Sequence, residues 1–466
     1  MNSLIQTLAF AIEDSACTYH ANYPGFHSNE LHSALGSKVT SRDEKNAFAY
    51  AWGCSMAGKR AAVSFKNVGL NDAADAFLGA LFVGCRAGLV LFLFDDCDIQ
   101  HSQNRVDIRP YFLIHGGLWF EPRTVSDAYE LTKLAFEKSE EFEIPVVIRI
   151  TNILFDMGIT PTKIERSKLP PREYAPLGRH SDQSRYVVHP SEAHRMEKDL
   201  EEKKRQIEIF VESLYQQQNA PSYNDIIFGA KRNVPSLNAF RLYTLPLPVQ
   251  QLKRAFLKKP LENITVYEHG ATPFIKQLVD NALSTTPGVR HKNMNPSFNL
   301  KAKYHNNTFM EKLFSVLRSI PRSVVCGDLG GYTMDPHRTL QLCLCYGTSP
   351  AVAMGVADVQ GEEFRVFCIT GDAAYLHSGQ CCLHEMLSRK INISIFVLEN
   401  GGALGTGGQH INGDLDYYPQ GISFFCVDYK ESTPDSLKHF VQKLPTKGIN
   451  LILINTHEHE LENNSH

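Results

Sequence analysis

The chain has 466 residues, of which 47 are basic and 50 acidic, so its formal net charge is −3 at pH 7. Hydrophobic residues make up 43% and charged residues 21%, an ordinary globular composition that excludes collagen-like, coiled-coil and disordered chains. The near-neutral charge argues against a nucleic-acid-binding protein, and the longest apolar runs are too short to cross a bilayer. Met1–Ile12 lacks a secretory signal pattern and the eleven cysteines are scattered along the sequence, so we expect a cytoplasmic protein. The absence of a CxxC pair weighs against structural zinc and against an iron–sulfur cluster held by a local motif.

Helices and apolar strands alternate over the first third of the chain. The predicted helices are Glu44–Ala61, Asn71–Ala87 and Ser126–Glu143, and the predicted strands are Arg60–Phe65, Gly88–Phe94 and Pro145–Thr151. The continuous apolar run Gly88–Phe94 is typical of a strand buried on both faces. This alternation predicts a parallel sheet flanked by helices, in a first domain over residues 1–160.

The middle of the chain has a different composition. Prolines and charges concentrate near residues 157–190, which indicates a linker. Ser191–Gln218 is dense in charge and predicts a solvated helix, and weaker strand patterns follow at Asp225–Gly229 and Asn263–Glu268. We therefore expect a linker and a small α/β domain over residues 161–300.

The last third alternates strongly again. The predicted strands are Ser323–Cys326, Phe364–Thr370, Ile393–Leu398 and Ile449–Asn455, and the predicted helices are Ser349–Val359, Ser378–Arg389 and Pro434–Leu444. No repeat of fixed period is visible. The fold class predicted for the whole chain is α/β, with two parallel-sheet domains and a smaller α/β middle domain, the last domain covering residues 301–466.

Polar residues follow two neighbouring buried strands of the last third. Asp372 comes directly after the first strand and Asn400 after the second, at the sheet edge where ligands bind in open α/β folds. A carboxylate, an amide oxygen and a nearby carbonyl suit Mg²⁺, and the small residues Gly371, Ala373 and Ala374 allow backbone amides to approach a phosphate. The segment predicts an anchor for Mg²⁺ and a diphosphate, with ordinary strand-end turns as the alternative.

This pattern resembles the thiamine diphosphate motif, which usually begins with Gly-Asp-Gly and ends with Asn-Asn. Ala373 replaces the last glycine here, and Glu399 replaces the first asparagine. The resemblance implies that Mg²⁺ is held by Asp372, Asn400 and the carbonyl of Gly402. It implies a cofactor-binding segment made of Gly371, Asp372, Ala373, Ala374, Asn400, Gly402 and Leu404.

A closer resemblance is to the α subunit of indolepyruvate:ferredoxin oxidoreductase. The stretches that carry it, in the order of that family, are Tyr23–Glu30, Asp43–Ala61, Lys66–Phe77, His101–Arg109, Gly327–Thr333, Cys343–Ser349 and Gly371–Gly379. The resemblance implies a pyrimidine-binding domain over residues 1–160 and a diphosphate-binding domain over residues 301–466. Such cofactor sites often cross a subunit boundary, so it also implies a homodimer or a dimer of dimers.

Three further features match positions of that family. Glu44 corresponds to the glutamate that hydrogen-bonds the aminopyrimidine ring, although a glutamate is also favoured at any helix N-terminus. Tyr346 corresponds to the bulky residue that bends the cofactor, with a core aromatic as the alternative. Gly327, Asp328 and Gly330 form a turn that lies either near the diphosphate or simply between a strand and a helix.

The substrate end of the site is less defined by the sequence. His101 and His377 fall inside matched stretches and are the candidate catalytic histidines, because imidazole transfers protons near neutral pH. The candidate substrate-binding residues are Ser28, Gln103, Asn104 and Arg109. Arg109 suits a bidentate carboxylate contact, or equally an ion pair within the fold. Phe26-His27-Ser28 replaces the Thr-Pro-Ser of the family, which leaves the substrate open.

The cysteines bear on the reaction. The resembled oxidoreductases end in a ferredoxin-like domain, whereas this sequence has only Cys426 after Asn400 and no motif that could hold an iron–sulfur cluster. We therefore expect a non-oxidative enzyme that uses thiamine diphosphate and Mg²⁺ to decarboxylate a 2-oxo acid, an aryl pyruvate being one candidate, followed by protonation or acyloin-type carbon–carbon bond formation. The alternatives are an oxidoreductase α subunit with clusters on a partner chain, and a non-catalytic cofactor-binding scaffold.

Overall fold

The computed structural model describes residues 3–37, 39–98, 106–157, 164–177, 185–188, 190–218, 223–230, 238–257, 259–284, 308–403, 409–411, 413–429 and 431–456. The first third contains α1 (Ser3–Asp14), β1 (Tyr19–Asn22), α2 (Ser28–Ala34), α3 (Glu44–Met56), β2 (Ala61–Lys66), α4 (Leu70–Val83), β3 (Leu89–Asp95), α5 (Phe112–His115), β4 (Leu118–Phe120), α6 (Val125–Phe142), β5 (Val146–Thr151) and α7 (Asn152–Asp156). The middle contains α8 (Pro190–Leu214), β6 (Asp225–Phe228), β7 (Ala239–Leu242), β8 (Thr244–Leu245), α9 (Val249–Phe256), β9 (Thr265–Tyr267) and α10 (Phe274–Leu283). The last third contains α11 (Thr308–Ser319), β10 (Ser323–Gly327), α12 (Ser349–Gln360), β11 (Arg365–Gly371), α13 (Asp372–Ala374), α14 (Leu383–Arg389), β12 (Ile393–Glu399), β13 (Ile422–Asp428), α15 (Pro434–Lys443) and β14 (Ile449–Asn455).

The strands form three sheets. The N-terminal sheet has the order β1-β2-β3-β5-β4-β8 and is parallel except for β8, which runs antiparallel to β4. The C-terminal sheet has the order β10-β11-β12-β14-β13 and is parallel throughout. A middle sheet pairs β7, β6 and β9 in parallel. The α/β class with parallel sheets flanked by helices is therefore confirmed.

The two large sheets share one topology. If the strands of each are numbered from its first, β1 to β5 and β10 to β14 both lie in the spatial order 1-2-3-5-4. In each sheet the helix before the second strand, α3 or α12, packs on its counterpart from the other sheet. A β-carbon on Gly53 of α3 would collide with the Val352 carbonyl, and one on Gly355 of α12 would collide with the Tyr50 carbonyl. The glycines thus allow the two helix backbones to touch where the halves meet.

Most predicted elements appear, with boundaries set by local backbone geometry. β3 is buried along its whole length, as its apolar run predicts. The predicted helix Asn71–Ala87 ends early, because Gly84 takes φ +95° and terminates α4. The predicted helix Ser378–Arg389 is α-helical only from Leu383, since a π-helical turn covers Tyr375–Gly379.

Two features depart from the predicted organisation. β8 comes from the predicted middle domain but hydrogen-bonds to β4, so the N-terminal sheet recruits a strand from beyond residue 160. β13 was not predicted, although its sequence is largely apolar, and the strand lies partly exposed at the edge of the C-terminal sheet. Among the described helices, none combines the length and the apolar character that a membrane span requires.

Candidate active site

Asp372 occupies the carboxyl edge of the C-terminal sheet. β11 ends at Gly371, and the Asp372 carboxylate turns toward the end of the neighbouring strand β12. Its Oδ2 accepts hydrogen bonds from the backbone N–H groups of Asn400 at 3.1 Å and Gly401 at 2.9 Å, and its Oδ1 accepts one from Ala373 at 2.7 Å. The two strand-end residues that the sequence predicts as ligands are therefore joined in one small constellation.

The oxygens around Asp372 suit a hard cation. Asn400 Oδ1 lies in the same turn, where it accepts a hydrogen bond from the backbone N–H of Gly402 at 3.2 Å. A β-carbon on Gly371 would meet nothing within 4 Å, so open space lies beside the end of β11. Carboxylate and amide oxygens beside free space fit Mg²⁺ with a bound diphosphate. Leu404 lies outside the described residues.

Asp328 has a different environment from the one that a ligand of the diphosphate needs. Its carboxylate is fully buried, and burial raises its pKa. It accepts hydrogen bonds from the backbone N–H groups of Gly347 (2.6 Å) and Thr348 (3.1 Å) and from the hydroxyls of Ser349 (2.5 Å) and Thr370 (2.9 Å). Asp328 therefore fixes the turn between Tyr346 and α12, which agrees with the structural alternative for the Gly327–Gly330 turn.

Tyr346 lies next to that fixed turn. Its half-buried ring meets the ring of His377 edge-on, with centroids 5.4 Å apart. Burial raises the pKa of the Tyr346 hydroxyl, and the nearby carboxylates of Asp328 and Asp372 raise it further. His377 is exposed, with Nδ1 2.9 Å from the Ser378 hydroxyl oxygen. The structure thus brings both predicted residues to the edge that carries Asp372.

Glu44 begins α3 on the N-terminal side. Asp43 caps this helix by accepting a hydrogen bond from the Asn46 backbone N–H at 2.6 Å. Burial raises the pKa of the Glu44 carboxyl to about 7, and the charges of Asp72 and Asp43 add to the increase. A β-carbon on Gly69 would collide with the Glu44 carboxyl, so the glycine makes room for the acid. Glu44 is consequently a protonated acid below about pH 7.

The first turn of α3 also contacts the C-terminal half. Lys45 Nζ donates a hydrogen bond to the Tyr346 carbonyl at 2.8 Å, and Asn46 Nδ2 donates one to the Ser378 carbonyl at 3.3 Å. Lys45 is buried, and its ammonium lies 3.4 Å from Asp75. The helix that presents Glu44 is therefore held beside the Tyr346 turn within a single chain. The predicted site omitted Lys45 and Gly69, although both lie in the stretches that carry the resemblance.

The predicted substrate residues have mixed positions. Ser28 is buried and donates to the carbonyls of Gly25 at 2.6 Å and Tyr23 at 3.1 Å, so its hydroxyl closes a local turn. The neighbouring His27 ring stacks on Phe155, with centroids 3.8 Å apart. His101, Gln103 and Asn104 lie outside the described residues.

Arg109 is fully buried and engaged within the fold. Its guanidinium pairs with Asp107 at 2.6 Å and with Glu268 at 2.5 Å, and it donates to the Thr272 carbonyl at 2.9 Å. The same guanidinium lowers the pKa of the Asp107 carboxyl against the effect of burial. This geometry agrees with the ion-pair alternative for Arg109, and it connects the N-terminal sheet to the segment around β9 and α10.

Comparison with known sequences agrees with this geometry. Residues 328–438 match the family described as thiamine pyrophosphate enzyme, C-terminal TPP binding domain. The chain is 24% identical over 459 residues to the indolepyruvate oxidoreductase subunit IorA of Archaeoglobus fulgidus, covering 84% of this chain and 73% of that one. It is 26% identical over 496 residues to the IorA subunit of Pyrococcus abyssi, covering 86% and 74% of the two chains.

Solved structures share the fold. The 4-hydroxybenzoylformate decarboxylase of Rhodococcus jostii, described as thiamine diphosphate-dependent, superposes with a TM-score of 0.54 at 13% identity, covering 98% of this chain and 99% of that one. Benzoylformate decarboxylase of Polynucleobacter necessarius gives a TM-score of 0.54 at 14% identity with the same coverage. At this identity the likeness concerns the fold alone. The domain match at residues 328–438 and the similarity to the IorA subunits show that this chain is similar to thiamine diphosphate-binding proteins in sequence, and the solved structures show the same fold.

Proposed function

We propose that this protein binds thiamine diphosphate and Mg²⁺ and decarboxylates a 2-oxo acid without an external oxidant, with protonation or carbon–carbon bond formation as the second step. One observation carries the proposal. Within one chain, the helix that presents the half-buried acid Glu44 is hydrogen-bonded to the Tyr346 turn, beside the edge that carries Asp372. An acid, a bulky shaping residue and a set of oxygen ligands are the parts that this cofactor chemistry needs.

The residues at the C-terminal edge fit the charged end of the cofactor. Asp372, Asn400 and the Gly402 carbonyl would hold Mg²⁺, which usually keeps few protein ligands and shares its shell with phosphate oxygens. The space beside Gly371 leaves room for the diphosphate. When bound, thiamine diphosphate supplies a nucleophilic carbon and an electron sink for the loss of CO₂ from a 2-oxo acid.

Glu44, in the N-terminal half, supplies a carboxyl group that can hold and donate a proton. Its raised pKa, about 7, keeps a proton on the carboxyl near neutral pH, so the acid can donate a hydrogen bond to a ring nitrogen of a bound aminopyrimidine. Gly69 accommodates the carboxyl, and Lys45 holds the start of the same helix against the Tyr346 carbonyl. These contacts fix the position of the acid at the start of α3.

A second candidate is the catalytic subunit of a 2-oxo acid oxidoreductase whose electron carriers lie on another chain. The printed name of the sequence relatives, indolepyruvate oxidoreductase subunit IorA, favours it. The two candidates share the cofactor and the decarboxylation, and they differ only in where the electrons of the product go. Product analysis therefore separates them.

The experiment uses the purified protein with thiamine diphosphate, Mg²⁺ and a panel of 2-oxo acids that includes aryl pyruvates. CO₂ release without an electron acceptor, with an aldehyde or acyloin as product, is the expected result. Glu44→Gln serves as the matched inactive control. Turnover that requires a redox dye or a partner chain would favour the oxidoreductase. Normal cofactor binding without turnover under any of these conditions would contradict both and leave the non-catalytic scaffold.

A further inference from the structure

Cys97, Asp98 and His269 form a cluster that does not include Asp372 or Glu44. Cys97 and Asp98 follow β3 of the N-terminal sheet, whereas His269 lies between β9 and α10. Each of the three side chains has a possible ligand atom that lies within 4.8 Å of the ligand atoms of the other two. Their separation in sequence explains why no linear cysteine motif marks this cluster.

The backbone around the cluster is held in place by one buried guanidinium. Arg149 on β5 donates to the carboxylate of Asp95, at the end of β3, at 2.7 Å. It also donates to the carbonyl of His269 at 2.9 Å, and its side chain is only 2% exposed. The strand that leads to Cys97 and the segment that carries His269 are thus fixed to the same group.

Asn152 contacts the thiol of this cluster and can support it in either protonation state. The Cys97 thiol donates to Asn152 Oδ1 at 3.0 Å, while the Nδ2 of this asparagine is buried and has no hydrogen-bond partner. Rotation of the amide by 180° exchanges its oxygen and nitrogen, so Nδ2 would face the sulfur. A thiolate accepts that hydrogen bond, and a metal ion deprotonates a coordinating thiol.

We propose that Cys97, Asp98 and His269 bind a zinc-class divalent cation that links the N-terminal sheet to the segment before α10. A thiolate, an imidazole and a carboxylate are the ligand types of Zn²⁺, whereas Mg²⁺ and Ca²⁺ take oxygen ligands. Ligands of a tetrahedral zinc ion lie about 3.6 Å apart, so these side chains need to close by about 1 Å. Because Asp98 is exposed, water can reach the ion and occupy the fourth position of the tetrahedron. On binding, the Cys97 thiol proton passes to solvent.

The test uses the full-length protein, stripped with a chelator and titrated with Co²⁺ alone as a spectroscopic probe. We expect a sulfur-to-cobalt charge-transfer band that saturates at one equivalent and disappears when Zn²⁺ is added. Cys97→Ser should abolish the band. Asn152→Leu, which removes only the outer hydrogen bond, should weaken binding about 10- to 100-fold. Cys426→Ser, which changes an exposed thiol on β13, should leave the band unchanged.

A second measurement covers variants that fold poorly. Zn²⁺ should raise the melting temperature of the wild-type protein but not that of His269→Gln, because an ion that binds only the native state stabilises the native state. Asp372→Asn should retain both the band and the shift, so failure of the proposed function leaves this site testable. Absence of a sulfur band in the wild type, or its persistence in Cys97→Ser, would overturn the proposal.

Discussion

The N-terminal and C-terminal sheets share a topology and differ in the chemistry of their carboxyl edges. Both place their strands in the order 1-2-3-5-4, and both use the helix before the second strand to contact the other half. The N-terminal side presents Glu44, a half-buried acid with a pKa raised to about 7. The C-terminal side presents Asp372, whose carboxylate accepts hydrogen bonds from three backbone N–H groups.

The difference shows that the two edges suit different chemistry. Desolvation favours the neutral form of Glu44, whereas the oxygens of Asp372 accept hydrogen bonds from backbone N–H groups. An acid suits proton transfer, and an ionised carboxylate suits a metal ion. Function depends on a few side chains at the sheet edges. A substitution of Glu44 and a substitution of Asp372 should therefore change different properties of the protein.

Glu44→Gln should have the largest effect and should affect turnover specifically. The amide keeps the shape of the side chain but cannot move a proton, so we expect kcat to fall by about 10²–10⁴-fold. Steady-state CO₂ release measures the loss, and titration with thiamine diphosphate measures the retained binding. Glu137→Gln, an exposed position on α6, is the control. Equal loss in both variants would remove the special role of Glu44.

Asp372→Asn, in the C-terminal half, should weaken cofactor binding. Removal of one partner from a buried charge interaction costs about 3–5 kcal/mol, so we expect the affinity for thiamine diphosphate with Mg²⁺ to fall by about 10²- to 5 × 10³-fold. Calorimetric titration gives the value. Asp435→Asn, at an exposed position in the first turn of α15, should bind as the wild type does. Unchanged affinity in Asp372→Asn would place the metal elsewhere.

Gly53→Ala tests whether the two halves depend on close helix contact. The added methyl group would collide with the Val352 carbonyl of α12, and overpacking of this kind costs about 1–3 kcal/mol. Urea denaturation should report the lower free energy of unfolding. Gly331→Ala adds the same methyl group where nothing lies within 4 Å, so its stability should match that of the wild type. A stable Gly53→Ala would show that the crossing tolerates separation.

The smallest expected effect is the contribution of Glu44 to the pH dependence of folding stability. Its carboxyl has a pKa near 7 in the folded chain, above its ordinary value of 4.5, so the folded state holds the proton more tightly than the unfolded state. This contribution is fully present below pH 4.5 and is lost as the pH rises through 7. The melting temperature of the wild type, relative to Glu44→Gln, should therefore fall between pH 5 and pH 8. A flat difference would contradict the raised pKa.

Local patterns in the sequence predicted much of the fold and the ligand edge. The apolar run of β3 is buried as expected, and Asp372 and Asn400 meet because parallel strands end at one edge. β13 was missed although five of its seven residues are apolar, and its half-exposed position at the sheet edge follows only from the fold.

Tertiary contacts account for the rest. The sequence cannot tell that Arg109 is paired with Glu268, a residue far along the chain, rather than available to a carboxylate. The cluster of Cys97 and His269 is likewise formed only by the approach of two distant segments. Such pairings depend on the whole fold, whereas strand-end motifs depend on a few neighbouring residues.

The contact between α3 and α12 limits how far the groups at the ends of these two helices can move. A crossing at glycine brings main chain against main chain, so it has little side-chain bulk that could absorb a displacement. A slip by one residue along a helix axis is about 1.5 Å, whereas a catalytic group works within about 0.5 Å of its productive position. Because Glu44 begins one helix and the Tyr346 turn precedes the other, the crossing limits the change in distance between Glu44 and the Tyr346 turn.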